Sequence, residues 1–523
     1  MIGKTCRAAL AGLVASIGVV LAQGAPTPGG TLTVAMRSSP GNFDCHAGQG
    51  YGVMQMLAPA YSTLLKYAPG KYPEIIGDVA KSWTVSEDRL TYTFTLNPDV
   101  MFHDGSRLTA TDIKATFDRL RDPPQGVSSL RQTELVDIAS IDVTDPQTVA
   151  FRLKAANPAM LTVFASPWHC IYSAAKLAQD ANFPARNIMG TGPFRFVEYA
   201  TGSKVTYAKF PQYFKKGQPY LDKVEFMIVS STAVVPALSA GQIDADFFTL
   251  GAPLVQQVAT ARGDKVSFDT AETTVSSFVS FNTRKPIFQD PRVRKALSLA
   301  IDRPLGDRNL PRLIAVKGYN PLFRPDTPFS LSSAQLADLP GFGSSVERAQ
   351  DEARRLLKEA GVPNLSFELL AINSRDPWEA YAIFLIDSWR KIGVQVTKKS
   401  QDLAGFLPLV ASGDFEAAID FNSPMSMDPN EVLVKFVPGS PNNYTRMTDE
   451  TLTKLFNAQK GEADGAKRQD LARQFQMQLL KEAYVAPLYW ATRTTSVPSS
   501  LQGWKVPPNF SLWLDLADVW LKK

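Results

Sequence analysis

Residues 90–120, LTYTFTLNPDVMFHDGSRLTATDIKATFDRL, place both hydrophobic periods of protein structure side by side. Tyr92, Phe94 and Leu96 alternate with threonines, which is the two-residue period of a half-buried strand. Asp104-Gly105 then makes a turn. Thr109 follows, and with Asp112 it forms a capping box ahead of Ile113, Phe117 and Leu120, an apolar stripe at helical spacing. A strand passed directly to a capped helix is the unit of a layered α/β protein.

The pattern recurs along the chain. Thr31–Met36 alternates as a first strand, and Arg37 to Tyr51 reads as a loop with Asp44, Cys45 and His46 at its centre. Asp290-Pro291 caps a helix through Val293, Leu297 and Ile301. Ser345 starts another helix over 346–360 that stops at Gly361. A third runs from Trp378 to Ile392 and ends at Gly393, before the β run at Val394 and Val396. An amphipathic helix covers about 465–484. Strands that alternate with helices imply α/β layers and argue against a β sandwich.

Length and charge narrow the class. A chain of 523 residues exceeds what one core organises, so two or three domains are expected. Lys4 and Arg7 precede an apolar run, Ala8 to Ala22, with small residues at its end; this reads as a signal peptide, residues 1–22, cleaved after Ala22. Cys6 lies before the apolar run, so no lipid anchor is expected, and no later segment is apolar enough to embed in a membrane. Removing Lys4 and Arg7 from the formal net charge of +5 leaves +3, with dispersed basic residues, so nucleic acid is not an expected partner. Cys45 and Cys170 remain after cleavage; they either form a disulfide or stand as two separate buried thiols.

One segment carries a family signature. Residues 186–226 open on a glycine-flanked turn (Gly190, Thr191, Gly192, Pro193), continue through two alternating segments and close on an aromatic, glycine-rich turn. The segment resembles the one that names solute-binding protein family 5, the oligopeptide-, dipeptide- and nickel-binding receptors of bacterial ABC importers. The 90–120 block, PEIIGDVAKSW (Pro73 to Trp83), Phe281 to Arg303, Glu347 to Pro363 and KIGVQV (Lys391 to Val396) also resemble family blocks, in the family's order.

The resemblance implies an α/β, two-lobed periplasmic binding protein (type II, the large cluster C form with an extra domain inserted in the N-terminal lobe). Lobe I would comprise 23–58, 191–280 and 485–523, the inserted domain 59–190, and lobe II 281–484. It implies a monomer that captures a small organic solute between its lobes and delivers it to an inner-membrane ABC permease with its ATPase. A receptor for a membrane sensor is the alternative, and a secreted hydrolase a weaker one, because no Gly-x-Ser-x-Gly, His-Glu-x-x-His or P-loop is present. No enzyme activity, cofactor or metal is expected.

Mapped onto this chain, the ligand loops implied are Arg37 to Tyr51 (Cys45, His46, Tyr51), the crossing at Phe281-Asn282-Thr283, and 419–430, IDFNSPMSMDPN, with Asn422 and Met425. In peptide-binding relatives an acidic residue four positions before the proline grips the peptide amine; here Met425 precedes Pro429 at that spacing. A cationic amine would lose its countercharge there. Met425 and Met427 either contact an apolar solute or fill core. Arg375, just before Trp378 and a helix, suits a carboxylate or phosphate, or else pairs with Asp376. Trp490, with Tyr489, Phe510 and Trp513, offers aromatic walls or core. His103-Asp104 reads as a turn pair, and Gly190 and Gly192 as positions set by backbone geometry.

Overall fold

The computed structural model describes residues 25–523, except positions 38, 49, 320, 326, 344, 374 and 513 and the side chains of Tyr51, Arg375, Asp376 and Ala404. The signal-peptide expectation for 1–22 lies outside the described residues.

Three sheets organise the chain. In the first, the strand order is Ala245–Asp246, Thr31–Met36, Lys223–Ile228, Lys204–Lys209 and Phe194–Ala200. Thr31–Met36 lies parallel to both Lys223–Ile228 and Ala245–Asp246. The second sheet runs Val316–Lys317, Val485–Pro498, Val266–Phe281, Ala417–Asn422, Ser366–Ile372 and Gln395–Gln401. Ser366–Ile372 is parallel to both Gln395–Gln401 and Ala417–Asn422, with helices Ala380–Arg390 and Leu403–Ser412 as crossovers. A third, antiparallel sheet (Ala80–Val85, Thr91–Leu96, Thr148–Leu153, Ile138–Asp145) has its own core, in which Phe94, Phe117, Phe151 and Phe164 interlock.

Local chemistry explains the elements. Thr109 and Asp112 form the reciprocal capping box at the start of Ala110–Arg121, and Ile113, Phe117 and Leu120 are fully buried. Asp290 accepts from the Arg292 N–H ahead of Pro291–Leu299, and Ser345 caps Val346–Glu359, which ends before Gly361 at φ +77°.

Two long strands join the lobes. Val266–Phe281 and Val485–Pro498 pair antiparallel, Val266 with Pro498 at one end and Ser280 with Val485 at the other. At one end Val497 packs with Leu32 and Val34 of the first sheet. At the other, Val279, Ala486 and Leu488 belong to the core of the second. Register shifts between Glu272 and Ser276, and between Ser276 and Phe278, interrupt the ribbon where it passes from one core to the other.

The glycine-flanked turn is fixed by close approach. A Cβ on Gly190 would stand 2.3 Å from the Ala60 carbonyl oxygen, and one on Gly192 would stand 2.6 Å from the Pro59 carbonyl oxygen. His103 donates from Nε2 to the Gly192 carbonyl at 3.0 Å, and Asp104 accepts from Ser106, so this pair ties two turns together. Gly192→Ala is expected to lower the unfolding free energy by about 1–3 kcal/mol, because backbone cannot yield as a side chain does. Urea unfolding checks it; an unchanged midpoint would contradict the packing argument.

Candidate functional site

The parallel strands determine where a crevice forms. The carboxyl ends of Thr31–Met36 and Ala245–Asp246 lead to Arg37 and Asp246, which pair at 2.6 Å with the guanidinium stacked 3.5 Å from the Phe248 ring. In the second sheet the carboxyl ends lead to Trp378, beyond Ile372, and to the 423–431 turn, beyond Asn422. In open α/β sheets, ligands lie outside such ends.

Here residues 67–166 meet the 423–431 turn. Tyr72 donates from its hydroxyl to the Met425 carbonyl at 3.3 Å, and Ser166 Oγ lies 4.0 Å from Met425 Sδ. The half-buried Met425 packs against the core of the first sheet although its chain segment belongs to the second. Thr162 donates to Glu431 Oε1 at 3.2 Å, and Glu431 also receives Ser426 Oγ at 2.7 Å and the Ser426 N–H at 3.0 Å. Tyr67 and Tyr72 stand 5.3 Å apart between ring centroids. A cavity of about 20 Å³ remains beside them, lined by Lys66, Tyr67, Pro69, Ala165, Pro167, Leu512, Leu514 and Asp515. Burial would raise Asp515, but Lys66 at 2.5 Å overrides it and holds the carboxyl down at about 2.

Five of the ligand residues expected from sequence fall elsewhere. Cys45 and His46 are wholly buried. Cys45 is bonded to Cys170, with the Cα atoms 6.1 Å apart. His46 donates from Nε2 to the Cys170 carbonyl at 3.1 Å and accepts at Nδ1 from Arg119 at 2.8 Å, so neither ring nitrogen is left for a solute. Asp44 beside it pairs with Arg119 at 2.6 Å and accepts from the Tyr172 hydroxyl at 3.0 Å. Residues 44–46 fasten the third sheet's unit to the first sheet; they do not line the crevice.

Phe281 and Asn282 also face away from it. Strand register pairs Phe281 with Ala417 and Ser276 with Asn422, so Phe281 sits about 17 Å along the strand from the crevice end. Phe281 packs on Phe288 in the core, and Asn282 donates to the carbonyls of Gly413 and Phe415. Trp490 is buried within the joining ribbon, its N–H bonded to the Gly318 carbonyl.

Asn422, Met425 and Trp378 do lie at the crevice. Asn422 holds the following turn by donating to the Val432 carbonyl at 2.9 Å, and Trp378 is half-buried against Phe421 at 5.4 Å. The side chains of Tyr51 and Arg375 lie outside the described residues. Sequence reasoning passed over Tyr67, Tyr72, Thr162, Ser166 and Glu431. Only Glu431 left a trace, one position beyond the 419–430 stretch.

Comparison with known proteins settles the family. Residues 74–444 match the bacterial extracellular solute-binding proteins, family 5. This chain belongs to that family. A Brucella ovis protein named for ABC-transporter peptide binding is 28% identical over 472 residues, 86% of this chain and 84% of the relative. The periplasmic oligopeptide-binding protein OppA of Salmonella typhimurium is 26% identical over 439 residues, 79% of this chain and 78% of OppA. The structure of AgaA from A. tumefaciens in complex with agropinic acid superposes with a TM-score of 0.77 at 26% identity, covering 94% of this chain and 99% of AgaA. The fold is thus the two-lobed α/β fold of the family, the function is solute binding, and the location is extracytoplasmic. Among the described residues no helix is long and apolar enough to cross a membrane.

Proposed function

We propose that this family 5 protein is a monomeric periplasmic receptor that closes around a small organic solute and hands it on unaltered. Its role as the substrate-binding component of an ABC importer follows from the family and its named relatives, and a permease with its ATPase completes that system. In this reading lobe I is 23–58, 191–280 and 485–523, the inserted domain 59–190 and lobe II 281–484. The interrupted ribbon of Val266–Phe281 and Val485–Pro498 acts as the hinge. A solute that touches both lobes biases closure by its preference for the shut form.

The observation that carries the ligand reading is Met425. Its carbonyl accepts from the Tyr72 hydroxyl, and its thioether sulfur lies 4.0 Å from the Ser166 hydroxyl. A thioether in that place supplies no countercharge to an ammonium group. The solute therefore has no α-amine anchored at residue 425. The relatives' ligands range by name from peptide to agropinic acid, so family membership alone leaves the choice open. Calorimetry with a mixed set of di- and tripeptides is expected to show no binding stronger than about millimolar; micromolar affinity that depends on the free amine would remove this reading.

A further inference from the structure

Glu431 is a carboxylate held at the lobe contact by neutral groups only. Ser426 Oγ, the Ser426 N–H and Thr162 Oγ1 converge on it, and no Lys, Arg or His pairs with it among the described residues. The cations of neighbouring segments are engaged elsewhere. Arg468 makes a two-pronged pair with Asp428 at 2.7 and 2.8 Å, and Arg324 donates to the Glu272 carbonyl at 2.9 Å. Beside Glu431 stand Tyr67 and Tyr72, and the buried Tyr67 hydroxyl lies against Ser426, which itself donates to Glu431.

Such an arrangement is costly without a guest. An uncompensated, largely desolvated carboxylate is unfavourable, and burial pushes the Glu431 carboxyl upward. Three donors orient it, yet none carries charge. Tyrosine rings attract cations over their faces, and a tyrosine hydroxyl oxygen can accept from an N–H. We propose that Glu431, with Tyr67 and Tyr72, forms the subsite for a positively charged nitrogen of the solute, a guanidinium or substituted ammonium group. The assignment rests on the interlobe contact being the solute site.

Calorimetry on the mature chain with N-acetylarginine and N-acetylcitrulline, matched in shape and differing in charge, tests it. The cationic probe is expected to bind at least tenfold tighter. Glu431→Gln should erase that preference without moving the unfolding midpoint by more than a few degrees, and Glu431→Asp should keep part of it. Equal affinities, no binding of N-acetylarginine at millimolar concentration, or an unchanged preference in Glu431→Gln would each overturn the subsite. Ala-Arg with and without N-acetylation separates the two readings. Binding that requires both the free α-amine and Glu431 would support the subsite while ending the claim that no α-amine is anchored.

Discussion

Reducing the Cys45–Cys170 bond, or replacing Cys170 with Ser, is expected to lower the unfolding free energy by about 4–5 kcal/mol. The two cysteines are 125 residues apart, so the bond closes a long loop in the unfolded chain and removes a large share of its conformational freedom. On the folded side the loop keeps other attachments. The Asp44–Arg119 pair, the Tyr172 hydroxyl and His46 hold residues 44–46 against the segment around 170, so the variant should fold in buffer and fail early in denaturant. Urea unfolding with and without reductant, with free thiols counted to verify reduction, reads the shift. Coincident midpoints with both thiols free would show that the bond contributes nothing.

Acid is expected to destabilise the protein before its carboxylates protonate. Burial is the main cause that lowers His46 to about 3, and Arg119 adds to it while Asp44 opposes. Burial likewise lowers His103 to about 4. In the unfolded chain both titrate near the usual 6.5, so between that pH and the folded values the unfolded state binds more protons. Stability from these groups is complete above about pH 7 and is lost as pH falls. By pH 4 the loss from His46 is about 3 kcal/mol, with a smaller one from the less buried His103. Asp44 and Asp515 are held below the usual carboxylate range and add their losses only at lower pH. Asp420 and Glu431, raised by burial, work in the opposite direction. Unfolding free energies at pH 7, 5.5 and 4 measure the slope, and His46→Gln should flatten it. A constant value across that window would refute the account.

Much of the fold was readable before any coordinates. Alternation at 91–96, the Thr109–Asp112 box and the Asp290 and Ser345 caps are local signals, decided within a few residues, and the structure forms each of them. The pairing ribbon was not readable. Val266–Phe281 mixes Thr, Ser, Glu and Asp with its apolar residues because one half serves each core, so no single period runs through it.

The site was legible only in part. The 419–430 stretch leads into the turn that carries Met425 and Glu431, because strand ends and caps are local. Cys45 and His46 misled, because a polar triplet in a loop looks the same whether solvent or Arg119 and Cys170 surround it. Phe281 and Asn282 were displaced from the crevice by strand register, a long-range quantity.

By itself, then, the amino-acid order determined the alternating α/β elements and, through the spacing of its motifs, the family of solute-binding receptors. Which side chains meet across the lobes was decided only in three dimensions. Tyr67, Tyr72 and Thr162 reach Met425 and Glu431 from more than 260 residues away, and such meetings depend on packing and register, which no window of sequence contains.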